Sequence, residues 1–522
     1  MRKKPMAVSL TLLLTGCMLL AGCKTADQPS AGGTPAPAPA PAQAPAVSKA
    51  GGTVNIAIFA YPTKLDPKYS LTIQEKNVYQ SLYDKLLDID ATGSLVPMLA
   101  EKWEISNDKK EYTFHLRQGV KFHDGTDFNA EAVKFNFERN MEEDSLRRNE
   151  IKDVESLTVV DANTIKIALK QPFSPFLSVL TEKSGMMVSP DAAKKAGKDF
   201  VNKPVGTGPY MFKETLKGSS LTLDKNPNYW KKDLPKVDKL VYKVIEDSNV
   251  ALVNLKSGDV DITDKVPFKE LEGLANDSKV KLVNDVSFGT SYVYLNTSKP
   301  PFDKKEFRQA VDLMIDRDAL VKIAINGAGT PAHSPFSSRN FAHGNNDQYE
   351  KPNLDKAKEL MKKAGMDSAS FSLKVGTLPK DQQVGQMIQN MLKPLGVEVK
   401  LEKLEYGSLD EQIISGNYDM GLTAWSGRQD PDQSIYDWFI TKGPRNFARY
   451  TNPELDKLLN SGRTEVDQDK RKLVYDQIMN ILHEDVPVVY LYHENIVFGM
   501  SKSIQGFEYV PDFIIHTANL GK

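Results

Sequence analysis

One stretch gathers residue types suited to holding a charged ligand: Trp425-Ser426-Gly427-Arg428-Gln429-Asp430-Pro431-Asp432. A guanidinium presents a planar fork of donors that matches a carboxylate or phosphate, and a tryptophan beside it offers a flat apolar wall. Arg428 reads in two ways: as such a fork, or as the internal partner of Asp430 or Asp432 that merely holds the loop. Asp430-Pro431-Asp432 is turn chemistry first, with Asp430 the carboxylate that could meet a cationic ligand group. Trp425 is either ligand wall or core at a strand end. Catalytic and metal chemistry find less support. No Gly-x-Ser-x-Gly elbow occurs, and His483 and His493 have no third ligand within sequence reach, so neither a nucleophile nor a metal site is expected.

The elements around this stretch must position it. Residues 420–425 read as a buried strand running into the polar loop at 426–432. Before it, 370–376 alternates like a strand, and 381–392 has helical spacing in Val384, Met387, Ile388 and Met391. Lys393-Pro394-Leu395-Gly396 stops that helix, 397–404 is a strand, and a short helix over 409–414 closes at Gly416. Such alternation predicts an α/β fold with a parallel sheet, whose ligands sit outside the carboxyl ends of the strands. Residues 376–379, with Thr377, therefore face the same crevice as 426–432.

The rest of the 522 residues is too long for one core. Lys and Arg number 67 against 68 Asp and Glu, so no electrostatic footprint for nucleic acid is present. Val54, Ile56 and Ile58 alternate in the first strand, and 74–87 reads as a helix. Tyr112, Phe114 and Leu116 belong to a half-exposed hairpin, Asn129 caps a helix over 130–140, and 154–169 is a second hairpin. Val205-Gly206-Thr207-Gly208-Pro209-Tyr210 lacks the lysine and helix start of a phosphate loop and is a bend. Toward the C-terminus, 486–492 and 496–510 read as two separate strands.

The N-terminus is of another kind. Met1-Arg2-Lys3-Lys4 is basic, 6–20 is apolar, and Leu20-Ala21-Gly22-Cys23 ends the run with small residues before a cysteine. This is similar to a bacterial lipoprotein signal, which implies Cys23 as the lipidated first residue on a membrane face, extracellular or periplasmic. Leu14-Thr15-Gly16-Cys17 matches more loosely and leaves a shorter apolar run, so Cys17 competes with Cys23 as the site. The chain has no other cysteine, which excludes a disulfide or cysteine nucleophile in the processed protein. Residues 26–49 are rich in Pro and Ala and predict a semi-rigid stalk of about 3.1 Å per residue.

Several segments together resemble the family 5 extracellular solute-binding proteins, the peptide- and nickel-binding group of ABC importers. They are residues 97–103, 112–117 with 121–125, Val205-Gly-Thr-Gly-Pro-Tyr210, 258–261, 302–318 and Tyr450-Thr-Asn-Pro-Glu-Leu-Asp456, so the resemblance runs from about Gly51 to the end. It implies a monomeric, non-enzymatic protein without cofactor, of two-lobed class II binding-protein fold, that closes on a peptide or peptide-like solute. Its partners would be an ABC permease with its ATPase. A non-peptide solute (opine, sugar acid or metal chelate) and a peptide-sensing co-receptor are the alternatives.

The resemblance also implies domain limits: signal 1–22, linker 23–50, one lobe from 51–90 with 203–285 and 494–522, a hairpin-rich subdomain over 91–202, and a second lobe over 286–493. Ser70 would then face the crevice from the first lobe. Dipeptide-binding members carry an aspartate for the ligand's α-ammonium directly after a Trp-Thr-Gly; here Trp425-Ser426-Gly427 is followed by Arg428. They also carry an arginine for the peptide carboxylate shortly before the helix at 381–392, and here 375–378 offers none. An α-ammonium 4 Å from Arg428 would be repelled by ~4 kcal/mol at an effective dielectric near 20, which argues against a simple dipeptide in that orientation.

Overall fold

The alternation of Val54, Ile56 and Ile58 buries one face of the strand Thr53–Ile58, which lies in a 12-stranded sheet. The structure, a computed structural model, describes residues 51–70 and 72–522; Cys17, Cys23 and the Pro/Ala-rich tract lie outside them. In one half of the sheet Thr53–Ile58 runs parallel to Lys239–Val244, which continues antiparallel into Ser220–Lys225 and Tyr210–Leu216. In the other half Ala369–Gly376 runs parallel to Val397–Leu404 and to Met420–Trp425. Helices Pro379–Leu392 and Tyr406–Ser415 make the crossovers, the second ended by Gly416 in the left-handed conformation at φ 81°.

Each half has its own core, and this is what makes two lobes. Val54, Leu82, Tyr242 and Phe498 pack in the first; Phe307, Leu373, Val384 and Val399 pack in the second. A four-stranded antiparallel sheet with helix Ala130–Met141 encloses a third, around Phe114, Phe137 and Ile165. A fully buried Leu or Phe contributes on the order of 1.5–3 kcal/mol, so each core stabilises its own body, while smaller apolar clusters such as Ile89 with Phe288 and Val510 bridge the lobes.

Two chain crossings join the lobes. Strand Val488–Ser501 pairs with Thr290–Leu295 in the second lobe through Ser291 with Tyr492, then with Val280–Val286 in the first through Asp285 with Ile496. The second crossing is residues 287–289, between Val280–Val286 and Thr290–Leu295. Ser287 Oγ bonds the Glu494 carbonyl at 2.6 Å and so ties one crossing to the other.

Two expectations change. The chain leaves the helix after Leu82, not Leu87, because Gly208 N–H reaches the Leu82 carbonyl at 3.0 Å and Leu86 and Leu87 turn into the third core. The two C-terminal strands are one continuous strand, Val488–Ser501, which ends well short of the expected 510. Its polar middle, His493-Glu494-Asn495, is the crossing itself, where each side chain finds a partner: Asp347, Lys380 and Asn284.

Candidate ligand site

Strand Met420–Trp425 delivers the loop at its carboxyl end, and helix Asp432–Phe439 follows directly. Both aspartates of that loop are buried and spent. Asp430 receives two bonds from Arg471, each 2.8 Å, and Asp432 receives two from Arg463, at 3.0 and 2.8 Å. The expectation that Asp430 meets a ligand is therefore corrected: both its oxygens face inward to Arg471. The same pairs remove the reading of Arg428 as partner to Asp430 or Asp432.

Arg428 instead turns to the seam. Its Nη1 donates to Ser426 Oγ at 2.9 Å and to the Gly427 carbonyl, and its guanidinium lies 4.5 Å over the half-buried Trp425 ring. Trp425 in turn packs on Trp438 at 4.7 Å and under Arg445 at 5.0 Å, so it is wall and packing at once. Gly427 sits at φ 67°, and a Cβ there would stand 2.0 Å from the Phe288 carbonyl oxygen; only glycine lets the loop press on the hinge.

The opposite wall comes from the first lobe and its insert. Glu182 Oε1 lies 3.5 Å from Arg428 Nε and accepts from Lys76 Nζ at 2.9 Å. Burial acts to raise the Glu182 carboxyl, but Arg428 and Lys76 outweigh it and hold it down at about 2, fully ionised. Lys76 also approaches Asp512 at 3.8 Å, and Asp512 is paired with His516 at 3.2 Å. Beside Glu182, burial pushes the Lys183 ammonium down to about 7, with the cations of Arg147 and Arg428 adding to the effect. Lys183 Nζ donates to the Thr72 carbonyl at 3.0 Å. Ser178 Oγ donates to Gln433 at 2.7 Å, a further bond between the insert and the second lobe, and Ser174 N–H reaches the Arg463 carbonyl at 3.0 Å. The lobes meet around Arg428.

The other expected residues fare differently. Thr377 is exposed after strand Ala369–Gly376, and no hydrogen bond or ion pair among the described residues joins it to the Arg428 loop. Ser70 is fully buried: its hydroxyl donates to Glu75 at 2.6 Å and its carbonyl accepts from Arg147, so it props the wall rather than facing the crevice. Histidines distant in sequence do come together. His333 and His483 stack at 4.3 Å, His333 pairs with Asp312, and Asp347 bonds His493 at 2.8 Å and lies 3.4 Å from His343. Among the described residues no three His, Cys, Asp or Glu form a metal-holding group. A hollow of about 590 Å³ lined by Glu272, Asp318, Lys322 and Asn326 lies away from these loops. No helix of the described residues is long and apolar enough to cross a membrane.

No pattern in the sequence marks Glu182 or Lys183 as site residues. They sit in Thr181-Glu-Lys-Ser-Gly185, where a single 3-10 turn over Lys183–Gly185 follows the short helix Phe176–Val179 and neither periodicity nor motif singles out a charge.

Comparison with known proteins settles the kind of molecule. The model of the bacterial extracellular solute-binding proteins, family 5, matches residues 94–447. The chain belongs to this family. A glutathione-binding protein, GsiB of Pectobacterium atrosepticum, is 32% identical over 475 residues, covering 88% of this chain and 91% of the relative. Among solved structures, the periplasmic binding protein DppA from Helicobacter pylori in complex with the peptide STSA is similar at a TM-score of 0.82 and 26% identity, covering 91% of this chain and 99% of that one. AgaA of A. tumefaciens R10 in complex with agropinic acid is similar at 0.79 and 28%, covering 90% and 98%. As a family 5 member, the protein is a two-lobed extracellular solute-binding protein and not an enzyme.

Proposed function

We propose that the chain is a receptor lipid-anchored through Cys23 that captures a peptide or peptide-like solute bearing an anionic group and passes it to an ABC permease powered by its ATPase. The observation that carries this reading is the approach of Arg428 and Glu182 from opposite lobes, at 3.5 Å. With charge recognition divided between the lobes, a ligand that engages both favours the closed form by its differential affinity. The moving bodies are those the resemblance implies, 286–493 against 51–285 with 494–522, and the unit is a monomer. The relatives that hold glutathione and a tetrapeptide support a peptide-like ligand. The neighbour that holds agropinic acid supports a second reading, in which the same frame takes a non-peptide acid.

Native mass spectrometry of residues 51–522, followed by denaturation to release bound solute, tests this. A small peptide supports the first reading and a non-peptide acid the second. If the protein is empty, a thermal-shift panel of acidic peptides and opines follows, where a ligand at about 100 times its Kd adds ~2.7 kcal/mol. No shift across that panel would sink both. For the anchor, Cys23→Ala should release the chain from the membrane fraction while Cys17→Ala does not; the reverse result reassigns the lipid to Cys17.

A further inference from the structure

We infer that the seam at Glu182 reads an α-amino-acid head group, an ammonium and a carboxylate on one carbon, with Glu182 taking the ammonium and Arg428 and Lys183 the carboxylate. This deepens the proposed function and rests on it.

The argument is one of unspent hydrogen-bonding capacity. Glu182 Oε1 is occupied by Lys76 and approached by Arg428, whereas Oε2 accepts no hydrogen bond from any described residue. Arg428 spends Nη1 on its own loop, and its Nη2 donates to no described residue. Lys183, 7% exposed, has three N–H bonds and one acceptor among the described residues, the Thr72 carbonyl. No carboxylate among the described residues lies within ion-pair distance of it, although the buried cations near it have one: Lys76 has Glu182, Lys85 has Asp88 and Arg147 has Glu150. One free anionic acceptor and one underused guanidinium thus adjoin at one seam, and the Lys183 ammonium lies near enough to feel both charges. Neither Glu182 Oε2 nor Arg428 Nη2 is sealed from solvent, so both stay open to a ligand that supplies the complement.

Sign decides which ligand that is. A lone anion would satisfy Lys183 and Arg428 but face the ionised Glu182, and a lone ammonium would satisfy Glu182 but face both cations. A zwitterionic head avoids both conflicts. Its two charges lie within a hydrogen-bond length of one another, as Glu182 and Arg428 do at 3.5 Å. An ordinary α-linked peptide presents its terminal ammonium without a carboxylate on the same carbon. A γ-linked glutamyl peptide, or an opine that keeps a free amino-acid end, presents both.

Isomers separate these cases without any mutation. Titration calorimetry of the full chain with γ-Glu-Ala-Gly and α-Glu-Ala-Gly compares ligands of the same atoms and net charge. The γ isomer should bind ~30-fold or more tightly, as expected when a buried charge contact is made in one and missed in the other. Glu182→Gln and Lys183→Met should each shrink that ratio, with melting curves confirming folded protein. An α isomer that binds as well as the γ isomer overturns the inference, as does a ratio unmoved by Glu182→Gln. If neither isomer binds, the head-group reading is overturned; the proposed function falls only if the acidic peptide and opine panel is also blank. Should a variant fail to fold, the wild-type isomer ratio decides.

Discussion

Carboxylate meets arginine in two ways around one loop. Asp430 with Arg471 and Asp432 with Arg463 are two-bond pairs buried inside the second lobe, with every carboxylate oxygen taken. Glu182 with Arg428 is a single 3.5 Å approach between lobes that leaves acceptor and donor atoms unspent. The first kind is scaffold: it fixes the loop at the end of strand Met420–Trp425 and has nothing left for a ligand. The second kind is an interface that a ligand completes. The same residue types thus serve different ends according to whether their valences close within one lobe.

The largest effect expected is on the closed pair. Asp430→Ala strands Arg471 with a buried charge and should cost ~3–5 kcal/mol in denaturant or thermal melts. Arg428→Met, at a guanidinium 21% exposed whose bonds stay within its own loop apart from the 3.5 Å approach to Glu182, should cost less, about 1 kcal/mol. An Asp430→Ala protein that melts like the parent but fails to bind would break the comparison outright. Next comes affinity: Arg428→Asp should weaken an anionic ligand by ~2–5 kcal/mol in calorimetry. If affinity survives that change, Arg428 is structural and the open pair is only a poor scaffold.

What the sequence made legible follows the range of the forces involved. The strand–helix–strand run to Trp425 is set by local periodicity, and its strand over 397–404 appears with the same limits as Val397–Leu404. The loop after Trp425 was visible through its turn residues, and Gly427 proves to be required by contact with Phe288. Asp430 misled because an exposed turn and a buried acid with a distant arginine look alike in sequence; Arg471 lies on a helix after it and has no spacing that pairs them. Ser70 failed similarly, taken by Glu75 in the wall behind the seam. Glu182 and Lys183 were invisible because their meaning comes only from Arg428 in the facing lobe.

The smallest effect is the one that sharpens the comparison most, since closed and open cations should answer pH differently. Arg471, held by Asp430, has its ionisation raised and stays charged throughout, so it contributes no pH dependence. Lys183 lies at about 7 in the ligand-free protein, against 10.5 in the unfolded chain. A ligand carboxylate favours the ammonium, so binding takes up a proton above pH 7. Affinity should therefore be flat below about pH 6 and fall by up to ~10-fold per pH unit above about 7. Ligand-free stability runs the other way: the Lys183 contribution is present above pH 10.5 and lost as pH falls through about 7, where its charge must be buried. Lys183→Met should abolish both slopes. Calorimetric Kd values that stay constant from about pH 6 to 9 in the unmutated chain would return Lys183 to the scaffold and leave Arg428 as the seam's single working cation.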